Sequence, residues 1–190
     1  MFRRRRMFRW SGARRTRPAI PPPLLRRLQL AHGLMELGQH AQAATAFEEL
    51  AAQGEQRGLP QASRLYVQAG RAWAKAGQPA RALERIRHGL ADLKTAGRVG
   101  LVSSLAARLT MELSEMGFAA EAEALASEFE PHNSGSVSGW RPPASEVRLP
   151  EKCPYCGGTV RPDEVEWIGQ AQALCNYCGS AISEMETPIG

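Results

Sequence analysis

A mainly α chain, an α-solenoid of about three helical hairpins with a small β module behind it, is the fold this 190-residue sequence predicts. Three observations predict it. Gly38, Gly77 and Gly117 lie 39 and 40 residues apart, and each is followed five residues later by an alanine (Ala43, Ala82 and Ala122) inside an Ala/Leu-rich amphipathic run. Glycine at such a point can take the left-handed conformation that ends a helix, and alanine lets two helix backbones approach closely. A stretch rich in Pro, Ser and Gly then interrupts the helical pattern, and all four cysteines lie beyond it in two Cys-x2-Cys pairs. The boundaries that follow are a basic arm over 1–23, a helical body over 24–130, a linker over 131–150 and a cysteine module over 151–190.

Composition narrows the class. A hydrophobic content of 43% is ordinary for a soluble protein. Nothing in the sequence is long and apolar enough to cross a bilayer, and the Arg-rich start lacks the apolar segment of a signal peptide, so the cytoplasm is the expected compartment. The net charge of +5 is unevenly spread: residues 1–30 hold ten Arg and no acid, 31–130 hold ten bases against twelve acids, and 131–190 hold four against seven. A basic-patch argument therefore applies to the arm alone. In a cytoplasmic protein, four clustered cysteines favour metal over disulfides.

The arm carries eight Arg beside Phe2, Phe8 and Trp10. Arg3, Arg4, Arg5, Arg6 and Arg9 are its candidate polyanion-binding residues: their cations can neutralise phosphates while the rings stack on bases, as in sequence-indifferent single-strand binders. The same mixture suits an anionic membrane surface. A solvated arm that aids solubility is the third reading. Pro21, Pro22 and Pro23 are expected to form a stiff extended step before the body.

In the body, Leu25, Leu28, Leu30, Leu34 and Leu37 predict a first helix ending at Gly38, and Ala43, Ala44, Phe47, Leu50 and Ala51 its partner. Pro60 and Pro79 are placed for the first turns of the third and fourth helices, the latter running to about Ala96. The fifth is expected from about Val99 to Met116 and the sixth from about Ala119 to Glu130. Tyr66, Ala69, Gly70 and Trp73, followed after Gly77 by Ala82 and Ile86, fall in a register that resembles the tetratricopeptide repeat. The period of about 40 exceeds that family's 34, the leading aromatic is replaced by Arg27 and Ala106 in the outer two repeats, and Ala126 holds the large position of the third.

That resemblance implies packing roles for Tyr66 and Trp73 and a concave groove lined by the first helix of each pair. By register the groove would present Arg64, Val67, Arg71, Ala74 and Lys75, with His32 and Met35 before them and Met111 and Ser114 after. Arg64, Arg71 and Lys75 are the candidate partner-binding residues. Arg71 and Lys75, one turn apart, can receive an acidic side chain or a terminal carboxylate, or simply form a wet helix face.

Residues 131–150 have no period and read as a flexible linker, about 25 Å long on average, which would let the two modules orient independently. Trp140 within it either docks on the body or serves as a recognition element. Beyond it, Cys153-Pro-Tyr-Cys156-Gly and Cys175-Asn-Tyr-Cys178-Gly are two copies of one knuckle separated by 18 residues, and they are similar to the zinc ribbon family. Cys153, Cys156, Cys175 and Cys178 are thus the candidate ligands of one structural Zn²⁺, with iron or a redox pair as the lesser alternatives. Thr159-Val160 and Glu164 to Trp167 alternate as short strands around an Arg161-Pro162-Asp163 turn. The four histidines lie outside the module and are assigned no role.

No phosphate-binding loop, HExxH, nucleophile elbow or dinucleotide fingerprint occurs, and an all-cysteine metal site leaves no position for a reacting water. The expectation is a non-enzymatic adaptor that binds protein partners through its helical body, with the zinc ribbon as a second interaction module and no small-molecule substrate. The alternative is a nucleic-acid-binding accessory factor in transcription or translation that uses arm and ribbon together. A third reading tethers the adaptor to anionic membrane through the arm.

Overall fold

The computed structural model describes residues 20–129, 149–169 and 171–183. Six helices come first: α1 (Pro22–Glu36), α2 (His40–Gln56), α3 (Ala62–Lys75), α4 (Pro79–Thr95), α5 (Val99–Glu115) and α6 (Ala119–Glu128). A three-stranded antiparallel sheet follows, with β1 (Glu166–Gly169) paired to β2 (Gln172–Leu174) and β2 to β3 (Ala181–Ser183). The arm with Arg3, Arg4, Arg5, Arg6 and Arg9, and the linker with Trp140, lie outside the described residues. No described helix is long and apolar enough to cross a membrane.

The predicted hinge glycines end helices. Gly77 has φ +73°, and the turn closes with Gln78 N–H donating to Trp73 O at 3.0 Å and Gly77 N–H to Ala74 O at 2.9 Å, so two orphan carbonyls of α3 are satisfied. Gly38 and Gly117 repeat this turn after α1 and α5. Proline placement differs from expectation at two points. Pro22 and Pro23 form the first turn of α1 instead of an extended step, since a helix start needs no amide hydrogen there; Pro60 stands in the turn before α3.

Each helix packs on its neighbour in sequence, and α4 also meets α6. The α3–α4 contact is the closest fit. A Cβ on Gly70 would stand 2.6 Å from Ile86 Cγ1 and 2.8 Å from Ala82 O, so this position must be bare for the helices to approach. Tyr66 and Trp73 are buried packing residues with satisfied polar tips: Tyr66 Oη donates to Glu55 at 2.8 Å, and Trp73 Nε1 to Glu48 at 2.7 Å. In the last pair Leu125, not Ala126, fills the core beside Ala122.

The cysteine module departs from its expected strands. Thr159 forms only an isolated bridge with Lys152, and the paired strands are β1, β2 and β3. Nor do the two modules stand apart. A single apolar core runs from Leu28, Phe47 and Ile86 through to Tyr177 and Ile182, so the ribbon-like module is seated on the helices. The linker composition predicted independence because nothing local in it records the surfaces at its two ends.

Candidate metal centre and the helical face beneath it

Each cysteine pair is held by the same backbone turn. Gly157 N–H donates to Cys153 O and Gly179 N–H to Cys175 O, both at 2.9 Å, while Cys153 N–H and Cys175 N–H close the turns onto Gly158 O and Ser180 O, both at 2.8 Å. Gly157 and Gly179 have φ +76° and +68°, which a side chain would resist. The result brings all four sulfurs within 4.8 Å of one another, with Cys153–Cys178 at 3.7 Å and Cys156–Cys175 at 3.6 Å. Four thiolates about 2.3 Å from a central ion would be roughly 3.8 Å apart along a tetrahedral edge. The buried cluster therefore fits one metal ion. Hydrogen bonding from its three neighbours lowers the Cys153 thiol, whereas the thiols of Cys156 and Cys175 are pushed up. Ser180 Oγ lies 3.1 Å from Cys178 Sγ, placed to donate to a thiolate.

The two knuckles differ at Pro154/Asn176 and at Gly158/Ser180, and docking explains the second difference. Gly158 follows the first knuckle where Ser180 follows the second. A Cβ on Gly158 would meet the ring of Tyr177 and stand 2.7 Å from His32 Nε2, whereas Ser180 turns inward to the metal site. Gly158 is therefore the point at which the module presses on α1. His32 is buried there between Phe47 and Tyr177, at ring-centroid distances of 5.1 and 4.9 Å. Burial lowers its pKa to about 4, so the imidazole is neutral near pH 7, and its Nε2 has no hydrogen-bond partner among the described residues. His32, which the repeat register puts on the groove face, lies at the centre of this contact.

The odd-numbered helices supply the rest of the receiving face. Arg71, midway along α3, forks between two carboxylates: Nε and Nη2 donate to Glu112 of α5 at 2.8 and 3.2 Å, and Nη2 and Nη1 donate to Glu164 of the module at 2.8 and 3.3 Å. Arg108 reaches Asp163 at 2.8 Å and Glu164 at 3.2 Å, and Arg161 bridges Glu112 at 2.7 Å and Glu164 at 3.2 Å. Three guanidinium groups thus face three carboxylates, an arrangement that offsets the cost of taking them from water. Burial pushes the Glu164 pKa up, but the hydrogen bonds and charge of Arg71, reinforced by Arg161 and Arg108, bring it down to about 2. Arg71 in turn is disfavoured by burial and held charged by Glu164, so its pKa is raised.

Arg64 donates to Asn176 Oδ1, Tyr177 Oη to Gln68 at 3.4 Å, and Gln29 to Tyr155 O at 2.6 Å; Glu36 pairs with Lys152 at 2.6 Å and Arg98 with Glu166 at 3.0 Å. Of the three predicted partner-binding residues, Arg64 and Arg71 are therefore engaged by the chain's own module. Lys75 is exposed and lines a cavity of about 450 Å³ left between the module and the C-terminal ends of α1, α3 and α5, with Met35, Glu115, Met116 and Thr159. Ala74 is buried instead of lining a groove, whereas Val67 is buried but borders, with Leu105, the small cavity beneath the module while also packing toward Gly89 of α4. Met111 and Ser114 are exposed away from this cavity, and Arg108, Glu112 and Glu115 take the expected role of α5. Glu164, Tyr177 and Gly158 were missed because each lies in a segment whose sequence reads only as short strand or knuckle. A grouping of Glu55, His88 and Asp92 on α2 and α4 sits outside this site, where His88 packs on Tyr66 and lies 3.4 Å from Asp92 one turn on. Comparison with protein-family models, with curated proteins and with solved structures finds no match to this chain.

Proposed function

We propose that this chain is a non-enzymatic adaptor: a tetratricopeptide-like stack of helical hairpins that holds polypeptide on its α1–α3–α5 face, stiffened by a zinc ribbon whose single Zn²⁺ is structural. The observation that supports it most is the occupancy of that face. Its buried Arg71 fork, Arg64 and the His32 ring already receive a folded protein module, which is the kind of contact a protein-binding surface makes. Zinc is the metal that four thiolates in a closed tetrahedral arrangement favour, and such a site leaves no coordination position for catalysis.

The partner surface on this reading includes the rim that the ribbon leaves open, the cavity bordered by Met35, Lys75, Glu115 and Met116. Its lining mixes thioethers with charges of both signs, which suits a polar peptide segment more than a small apolar ligand. The test is affinity purification with the metal-loaded full chain and with Lys75→Glu/Glu115→Lys, which leaves the Arg71 fork intact. Loss of specific partners in the variant is expected. Retention of every co-purifying protein would overturn the reading.

A further inference from the structure

With the ribbon in place, the helical body contributes Arg64, Arg71, Arg98 and Arg108 to the contact against the acids Glu36 and Glu112, and the ribbon returns Asp163, Glu164 and Glu166 against Lys152 and Arg161. The face is thus cationic by construction and its occupant acidic. Three of the occupant's acids lie within residues 161–168, a turn running into β1 that is bracketed by Cys156 on one side and Cys175 on the other. That turn has little of its own to hold it. Among the described residues, and apart from the cysteines, the buried apolar residues of the module are Val160, Ala173, Tyr177 and Ile182, and Tyr177 is covered by His32 and Gln68 of the helices. The metal centre is therefore the module's core, and its loss releases the turn.

Resting on the reading of this face as a protein-binding surface, we propose that it is a receptor for an acidic turn, that residues 161–168 are its tethered occupant, and that the metal decides whether this turn or an acidic segment of another protein sits there. While metal is bound, the turn is preformed and supplied at the high effective concentration of an intramolecular ligand, so an external segment is excluded. Once metal leaves and the turn is released, Arg71 keeps Glu112 while Arg108 loses both of its acids, Asp163 and Glu164, so the two guanidinium groups gain room for an incoming carboxylate. Linkage makes the effect reciprocal. Whatever weakens docking must weaken metal binding by the same factor, although Arg71 is not among the metal ligands.

The experiment uses the full chain and a fluorescent peptide with the sequence of residues 161–168, RPDEVEWI. The expected result is negligible peptide binding to the zinc-loaded chain, saturable binding after chelation, and release on adding zinc back. Arg71→Glu should abolish the peptide signal and weaken zinc affinity by about tenfold in competition with a chromophoric chelator, and adding Glu164→Arg to it should recover most of that affinity. Equal peptide binding with and without zinc, or unchanged zinc affinity in Arg71→Glu, overturns the proposal. So does a chelated chain that loses its helical circular-dichroism signal, because a receptor has to outlast its occupant. The two readings fail separately: the receptor can fail while Lys75→Glu/Glu115→Lys still loses a partner, and the peptide can bind while that variant loses none.

Discussion

Arg71 carries the contact between helices and ribbon because it is both buried and divided between two acids, with side-chain exposures of 9% for itself and 6% for Glu164. Removing Glu164 leaves the buried Arg71 with Glu112 alone and takes from Arg108 and Arg161 the acid they share with it. Glu164→Ala is therefore expected to destabilise the zinc-loaded chain by about 3–5 kcal/mol in urea unfolding, while exposed Lys75→Ala should stay within about 0.5 kcal/mol of the parent. His32 sets a pH dependence of its own. Its folded pKa of about 4 lies below the ordinary imidazole value of 6.5, so the unfolded chain takes up the proton first as pH falls. The stability is complete above pH 6.5 and is lost progressively toward pH 4, by at most about 3 kcal/mol. Urea midpoints across that window should fall less steeply in His32→Gln than in the parent; parallel slopes would refute the assignment. The sequence could place Arg71 on an inner helix face, but its fork depends on Glu112 and Glu164, which lie 41 and 93 residues away.

Among the elements, those written by local chemistry were legible and those written by pairing were not. The turns at Gly38, Gly77 and Gly117 satisfy helix-end carbonyls within a few residues, so a glycine and its spacing suffice to announce them. Gly70 belongs to the same local register, and Gly70→Ala tests the close α3–α4 approach. The new methyl meets Ile86 and Ala82 O, which should cost about 1–3 kcal/mol despite the better helix propensity of alanine. A thermal melt unshifted or raised would show that the helices can spread without penalty. Strands β2 and β3, three residues each, left no periodic signal; their register follows from the second cysteine turn, which closes between them from Cys175 to Ser180. Gly158→Ala separates the two duties of the first knuckle, since Gly157 makes its turn and Gly158 makes its contact. The variant should keep one metal per chain by elemental analysis while its hydrogen-exchange protection around Tyr177 and His32 falls.

At the scale of the whole molecule, helices and cysteine module share one core, so they should unfold together when metal is bound. Far-ultraviolet circular dichroism, dominated by the helices, and metal release followed with a chromophoric chelator should report the same midpoint. Two separated transitions would mean that the modules stand apart after all. Chelation should remove the ribbon's contribution and lower the midpoint of what remains, because the helical face then exposes Leu105, Val67 and its arginines to water. An unchanged midpoint after complete metal removal would contradict a structural role for the ion.

What the sequence determined by itself was everything encoded within one turn or one short repeat: six helices from their apolar spacing and hinge glycines, and a four-sulfur site from two copies of one knuckle. Tertiary structure alone decided that the ribbon lies on the odd-numbered helices, that Arg64 and Arg71 are already engaged, and that His32 and Gly158 meet. The reason is physical. Hinges and knuckles satisfy their own backbone groups, whereas a docked surface is stabilised by charges and rings supplied from elsewhere in the chain, and neither half of such a contact carries a local mark of the other.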